Sequence, residues 1–187
     1  MNWSLPVTVT LPSGEYVIHS DYRDILDIIA HLQDPEDTEE ERLYIGLRLF
    51  YEDFPLIPTT EWTDAAKAMM AFINCGKATE DEPLAPKLVD WEQDAPIIVA
   101  DINKVAGYEI RALDYLHWWT FIAYFHGIGD GQLALIVSIR QKLRKGQALE
   151  KWEREFYREN RSRIDLRCRY TAEEQAEMDK LNKLLGD

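Results

Sequence analysis

The sequence predicts a mainly α fold, a helical bundle with one small N-terminal β-hairpin. Three observations predict it. Apolar residues recur at helical spacing in one segment after another from Ser20 to Asn160, period-two alternation is confined to residues 6–19, and two Thr-x-x-Glu sequences have the form of helix-opening capping boxes.

The hairpin comes first. Val7, Val9 and Leu11 alternate with Thr8 and Thr10, and Tyr16 and Ile18 with Val17 and His19, which gives strands over 6–10 and 15–19. Pro12-Ser13-Gly14 supplies the turn. A lone hairpin is marginal in water, so this one is expected to pack on helices. From Ser20 the period becomes helical. Ser20 or Asp21 caps a helix to about Gln33, with a stripe of Ile25, Ile28, Ile29 and Leu32, and Pro35 ends it.

Thr38-Glu39-Glu40-Glu41 is the first capping box, opening a helix to about Tyr51 with Leu43, Leu47 and Phe50 inward. A third helix spans about 61–75, with Gly76 as its C′ stop. The polar, proline-interrupted stretch 77–88 reads as a connection. Asp90, with Gln93 three residues on, caps the next helix; because Pro96 suits a first turn, its regular part begins near Ala95, and it ends before Gly107. Residues 110–126 are apolar on nearly every face and are expected to form a helix at the centre of the bundle or in a subunit interface. Gly127, Gly129 and Gly131 break it. Helices follow over about 132–144 and 148–160, and the second capping box, Thr171-Ala172-Glu173-Glu174, opens a last one to Leu185.

The 187 residues fit one domain with an appendage, and 46% hydrophobic with 11% aromatic argues against disorder. Charge divides the chain. Residues 1–131 carry 8 Lys/Arg against 24 Asp/Glu, an acidic hairpin-plus-bundle core, while 132–187 carry 13 against 10. The C-terminal helical part is expected to dock loosely. No apolar run approaches the roughly 20 residues of a membrane span, and no basic-then-apolar leader opens the chain, so a cytosolic protein away from membranes is expected. Cys75 and Cys168 are expected to be reduced thiols.

Patterns for catalysis are missing. Gly127-Ile128-Gly129-Asp130-Gly131 lacks the Lys-Ser/Thr of a phosphate loop and follows no strand, so it reads as a helix–helix turn. The four histidines show no metal spacing. His117 reads as an imidazole hydrogen-bonded inside the bundle. Asp24/Asp27 and Asp90/Asp94 are one turn apart, as expected by chance in so acidic a chain. No enzyme activity, cofactor or metal is expected. Between Arg140 and Arg169 there are 11 Lys/Arg against 5 Asp/Glu, with Trp152, Phe156, Tyr157 and Tyr170 interleaved. This segment could contact phosphates, with Arg161, Arg163 and Arg167 as candidate residues, or it could pair with the acidic body. The charge of that body disfavours nucleic acid.

Three further segments carry a resemblance. Asp21-Tyr22-Arg23-Asp24-Ile25 follows the hairpin, Trp91-Glu92-Gln93-Asp94-Ala95-Pro96-Ile97-Ile98 opens a helix, and Leu113-Asp114-Tyr115-Leu116-His117-Trp118-Trp119-Thr120-Phe121 lies in the most apolar segment. With Asn74-Cys75-Gly76 they resemble, in register from about residue 5 to 170, the bacteriophage gene-product-fifteen family of siphophage and prophage tail modules. Thr120 departs from the often basic residue of the family pattern, and nothing beyond Tyr170 matches. The resemblance implies a tail-assembly chaperone in the host cytoplasm, which coats the helical tape-measure protein, or another tail protein, until the tail tube polymerises. It supplies no catalytic residues. Coating a rod needs many copies, so a homo-oligomer is expected. Trp118, Trp119, Phe121 and Tyr124 are the candidate partner-binding residues, as groove or as core. The alternatives are a structural head–tail or tail component of the virion and a nucleic-acid accessory acting through 140–169.

Overall fold

The computed structural model describes residues 4–77, 88–167 and 174. Apart from Glu174, the last capping box and its helix lie outside the described residues, as do Cys168 and most of the 77–88 connection. Those that are described form one two-stranded antiparallel sheet and eight α-helices with short 3₁₀ turns between some of them, a mainly α fold with an N-terminal hairpin. They fall into two compact units, 4–77 and 88–167. The charge boundary after Gly131 lies inside the second.

In the first unit, β1 (Thr8–Leu11) pairs with β2 (Gly14–Val17) in the register Thr8↔Val17 and Leu11↔Gly14, leaving Pro12-Ser13 as the loop. The chain after β2 stitches the hairpin to the helices. His19 N–H donates to Phe50 O (2.8 Å) and Glu52 N–H to Val17 O (3.1 Å), around an Ile18↔Tyr51 bridge. These bonds supply the support that an isolated hairpin lacks.

α1 (Tyr22–Leu32) is capped by Asp21, whose carboxylate accepts from Arg23 N–H (2.9 Å). Ile25 and Ile28 of its stripe are fully buried. α2 (Glu39–Phe50) opens with the expected capping box: Glu41 N–H donates to Thr38 Oγ1 (3.2 Å) and Thr38 N–H to Glu41 Oε2 (2.9 Å). Leu47 and Phe50 are buried, whereas Leu43 is 37% exposed. α3 (Trp62–Ile73) buries Ala65, Met69 and Phe72. Its end differs from expectation. Cys75, not Gly76, is the first left-handed residue (φ 56°), with Gly76 at φ 80° behind it. Cys75 N–H donates to Phe72 O (2.9 Å) and Gly76 N–H to Ala71 O (2.8 Å), so the helix closes in a Schellman motif one residue earlier.

In the second unit, Asp90 Oδ1 accepts from the N–H groups of Glu92 and Gln93, and α4 (Ala95–Ala106) follows with Pro96 in its first turn and Gly107 (φ 79°) at its end. The expected helix over 110–126 is interrupted. Ile110–Ala112 is a 3₁₀ turn, and α5 (Trp118–His126) begins only at Trp118. Side chains cap each piece separately: Asn103 Oδ1 takes Ile110 N–H (3.0 Å) and Glu109 Oε1 takes Arg111 N–H (3.1 Å) at the first start, and His117 Nδ1 takes Trp119 N–H (3.0 Å), which a continuous helix would bond to Tyr115 O, at the second. His117 is thus the buried N-cap of α5. α6 (Gln132–Arg144), α7 (Lys151–Glu159) and the single turn α8 (Arg161–Ile164) complete the unit. Ile136, Ile139 and Ile164 are fully buried together, flanked by Ile97, Leu149 and Phe156.

Candidate functional site

α5 sorts the four candidate partner-binding residues by helical position. Trp118 and Phe121, three apart, face inward and are 2% and 1% exposed. Their rings stack at 5.6 Å, and Trp91 closes over Trp118, Phe121 and Phe125 at 6.1, 6.0 and 4.9 Å. These two are core and offer a partner no surface in this conformation. Trp119 and Tyr124 are partly exposed. Tyr124 stands edge-on to Tyr108, with the hydroxyls 3.0 Å apart. Tyr108 and Val105 are each 42% exposed, so the C-terminal ends of α4 and α5 present an aromatic and aliphatic patch. Tyr108 and Val105 were not among the candidates; nothing in their spacing separates them from core residues.

The basic segment divides in the same way. Arg140 is buried and wholly engaged, with both Asp94 oxygens and the carbonyls of Leu88, Arg163 and Ile164 as acceptors. It is unavailable to a phosphate. Lys142 Nζ reaches the buried carboxylate of Glu153 at 2.6 Å, and that hydrogen bond holds the Glu153 carboxyl below the usual range. Arg161 Nε donates to Asp165 Oδ2 (3.0 Å), which raises the guanidinium further above its ordinary value, and Tyr157 donates to the other Asp165 oxygen (2.8 Å). Arg163 and Arg167 are exposed, while Arg163 O accepts from Arg140 and Gln93 and Arg167 N–H donates to Gln93.

Of the other described cations, Arg144 and Lys145 are exposed at the end of α6, and Lys151, Arg154 and Arg158 stand together. Spaced i, i+3 and i+7 along α7, they line, with Glu155, Tyr157 and Arg161, an open depression of about 640 Å³. The spacing was legible in the sequence; that Arg140 and Lys142 do not share the face was not.

The histidines are dispersed. His117 caps α5, His31 and His126 lie in last helical turns, and His19 stands 3.9 Å from Asp24. Among the described residues no three His, Cys, Asp or Glu side chains are grouped to hold a metal ion, and no helix is long and apolar enough to cross a membrane. The arrangement can bind through the aromatic patch and the cationic depression.

No curated protein and no solved structure matches the chain. The family model described as Bacteriophage Gp15 protein matches residues 1–166. A match over that much of the chain, on a helical fold that holds the Trp118-Trp119 and Asp94-Ala95-Pro96 segments at two helix starts, shows that this protein belongs to the bacteriophage Gp15 family.

Proposed function

We propose that the protein is a non-enzymatic tail-assembly chaperone, resident in the host cytoplasm, that holds the helical tape-measure protein before the tail tube polymerises. The family match over residues 1–166 carries this reading, through the resemblance to tail-module proteins made beside the tape measure. Two physical features support it. A helical partner with an exposed apolar stripe needs an apolar surface to cover the stripe, and the Val105, Tyr108 and Tyr124 patch is of that kind. A complex kept soluble until assembly needs strong net charge, and the chain carries −13.

The test is affinity purification from prophage-induced cells with mass spectrometry, beside analysis of purified virions. The reading expects the tape-measure protein with the tagged chain and virions free of it. Recovery of the chain in virions without a tape-measure complex replaces this reading with that of a structural head–tail or tail component.

A further inference from the structure

We propose that the basic depression on α7 and α8 receives the acidic α1–α2 tip of a second copy of this chain, so that copies associate head to tail. This contact does not rest on the tape-measure reading.

The argument begins with charges left over. Among the described residues, Arg140, Lys142 and Arg161 each have a carboxylate partner, whereas Lys151, Arg154 and Arg158 have none within 4.0 Å. Arg154 spends one N–H on the carbonyl of Leu149 (3.2 Å). The other two carry neither hydrogen bond nor ion pair there, yet helical spacing brings all three to one depression. Like charges gathered on one face repel, and an anion relieves the repulsion.

The same chain offers that anion. Residues 34–41 contain Asp34, Glu36, Asp37, Glu39, Glu40 and Glu41 and no Lys or Arg. Of these, Glu41 is held by its capping box, while Glu39 and Glu40 are exposed in the first turn of α2. This carboxylate-rich stretch complements the three cations left without a carboxylate at the depression, and every copy carries both surfaces at equal concentration. A nucleic acid is the weaker match, because Glu155 lines the depression and the chain as a whole is strongly negative. The two surfaces differ, so the contact is heterologous and generates rings or open chains, not an isologous dimer.

The experiment uses two full-length variants, Arg154→Gln/Arg158→Gln and Glu39→Gln/Glu40→Gln, with light scattering and sedimentation at low and high salt. Both sites are solvent-facing, and circular dichroism checks that each variant folds. The wild type is expected to associate at low salt and to dissociate as salt is raised. Each variant is expected to associate roughly tenfold more weakly. An equimolar mixture of the two is the distinguishing arm: each variant keeps one intact surface, so the mixture forms a heterodimer and nothing larger. A wild type that stays monomeric at low salt, self-association that neither variant weakens, or a mixture without heterodimer overturns the proposal. A monomer whose salt-sensitive DNA or RNA binding is lost in the Arg154→Gln/Arg158→Gln variant overturns it in favour of a nucleic-acid surface.

Discussion

Arg140 forks the carboxylate of Asp94 across 46 residues of sequence, with Nη1 to Oδ2 at 2.6 Å and Nη2 to Oδ1 at 2.9 Å. The side chains are 4% and 1% exposed. The remaining guanidinium donors go to the carbonyls of Leu88, Arg163 and Ile164, and Asp94 Oδ2 also accepts Asp90 N–H. One buried cation therefore ties α4 and α6 to α8 and to the chain before α4. Burying two charges costs several kcal/mol, and the cost is offset here because all five guanidinium N–H groups and both carboxylate oxygens are satisfied. Arg140→Ala, which leaves Asp94 buried and unpaired, is expected to destabilise the protein by about 3–5 kcal/mol. Arg140→Lys recovers little, because an ammonium offers three donors and no fork. Arg140→Met with Asp94→Leu is expected to recover much of the loss. Urea unfolding of the three variants measures this, and an Arg140→Ala cost below about 1 kcal/mol would falsify the hub.

A second relationship across distant sequence explains one of the three glycines in the break before α6. Gly131 sits at the N-cap of that helix with no side chain to offer, and Asp101 of α4 serves in its place, accepting Leu133 N–H at 3.1 Å. A Cβ at position 131 would stand 2.7 Å from Asp101 Oδ2. Gly131→Ala must push the carboxylate off the helix start, and is expected to cost about 1–3 kcal/mol. Gly129→Ala is the control, since a Cβ there meets nothing within 4 Å. Equal thermal shifts for the two variants would remove Asp101 from the capping role.

These two relationships mark what was legible in the sequence. The Thr38 capping box, the Asp21 cap, the place of Pro96 and the stop at Gly107 are local, decided within four residues, and the structure has each of them. The start of α5 was also a local matter, but histidine is an uncommon cap, and the apolar run over residues 110–126 hid the restart at His117, whose ring takes Trp119 N–H. Arg140 looked like one more cation in a basic segment, and Asp94 like a chance neighbour of Asp90. Helical spacing says which residues share a face, not which face turns inward. The candidate site suffered most from this: Trp118 and Trp119 are adjacent in sequence, and only the first is buried.

Acid sensitivity follows from Glu109. Its carboxylate accepts from Arg111 Nε (2.8 Å), Arg111 Nη2 (2.8 Å) and Arg111 N–H (3.1 Å), and from Asn103, and these bonds, with Arg111 leading, bring its carboxyl down from 4.5 to about 2. A carboxyl depressed in the folded state contributes stability that is complete above its unfolded value and is lost as pH falls towards its folded one. The contribution of Glu109 therefore disappears between about pH 4.5 and pH 2. Glu109→Gln is expected to flatten the fall in unfolding midpoint across that window and to leave the slope above it unchanged. Parallel slopes for wild type and variant below pH 4.5 would show that Glu109 does not titrate with unfolding.

The sorting of α5 gives the sharpest separation of stability from binding. Trp118 stacks on Phe121 and meets Trp91 in the interior, so Trp118→Ala removes one of the largest buried side chains of the unit. It is expected to cost about 3–5 kcal/mol, and any loss of partner binding is then a loss of fold. Trp119 and Tyr124 are partly exposed, and the ring of Tyr124 already leans on the solvent-facing Tyr108. Trp119→Ala and Tyr124→Ala are expected to shift the unfolding midpoint by much less than Trp118→Ala and still to weaken capture of the tape-measure protein. A large part of interface energy resides in a few aromatic side chains, so the double variant is the decisive one. Full capture by a folded Trp119→Ala/Tyr124→Ala protein would move the binding surface away from α5. The α7 face is then the next to test, and the Arg154→Gln/Arg158→Gln variant serves for it without further construction.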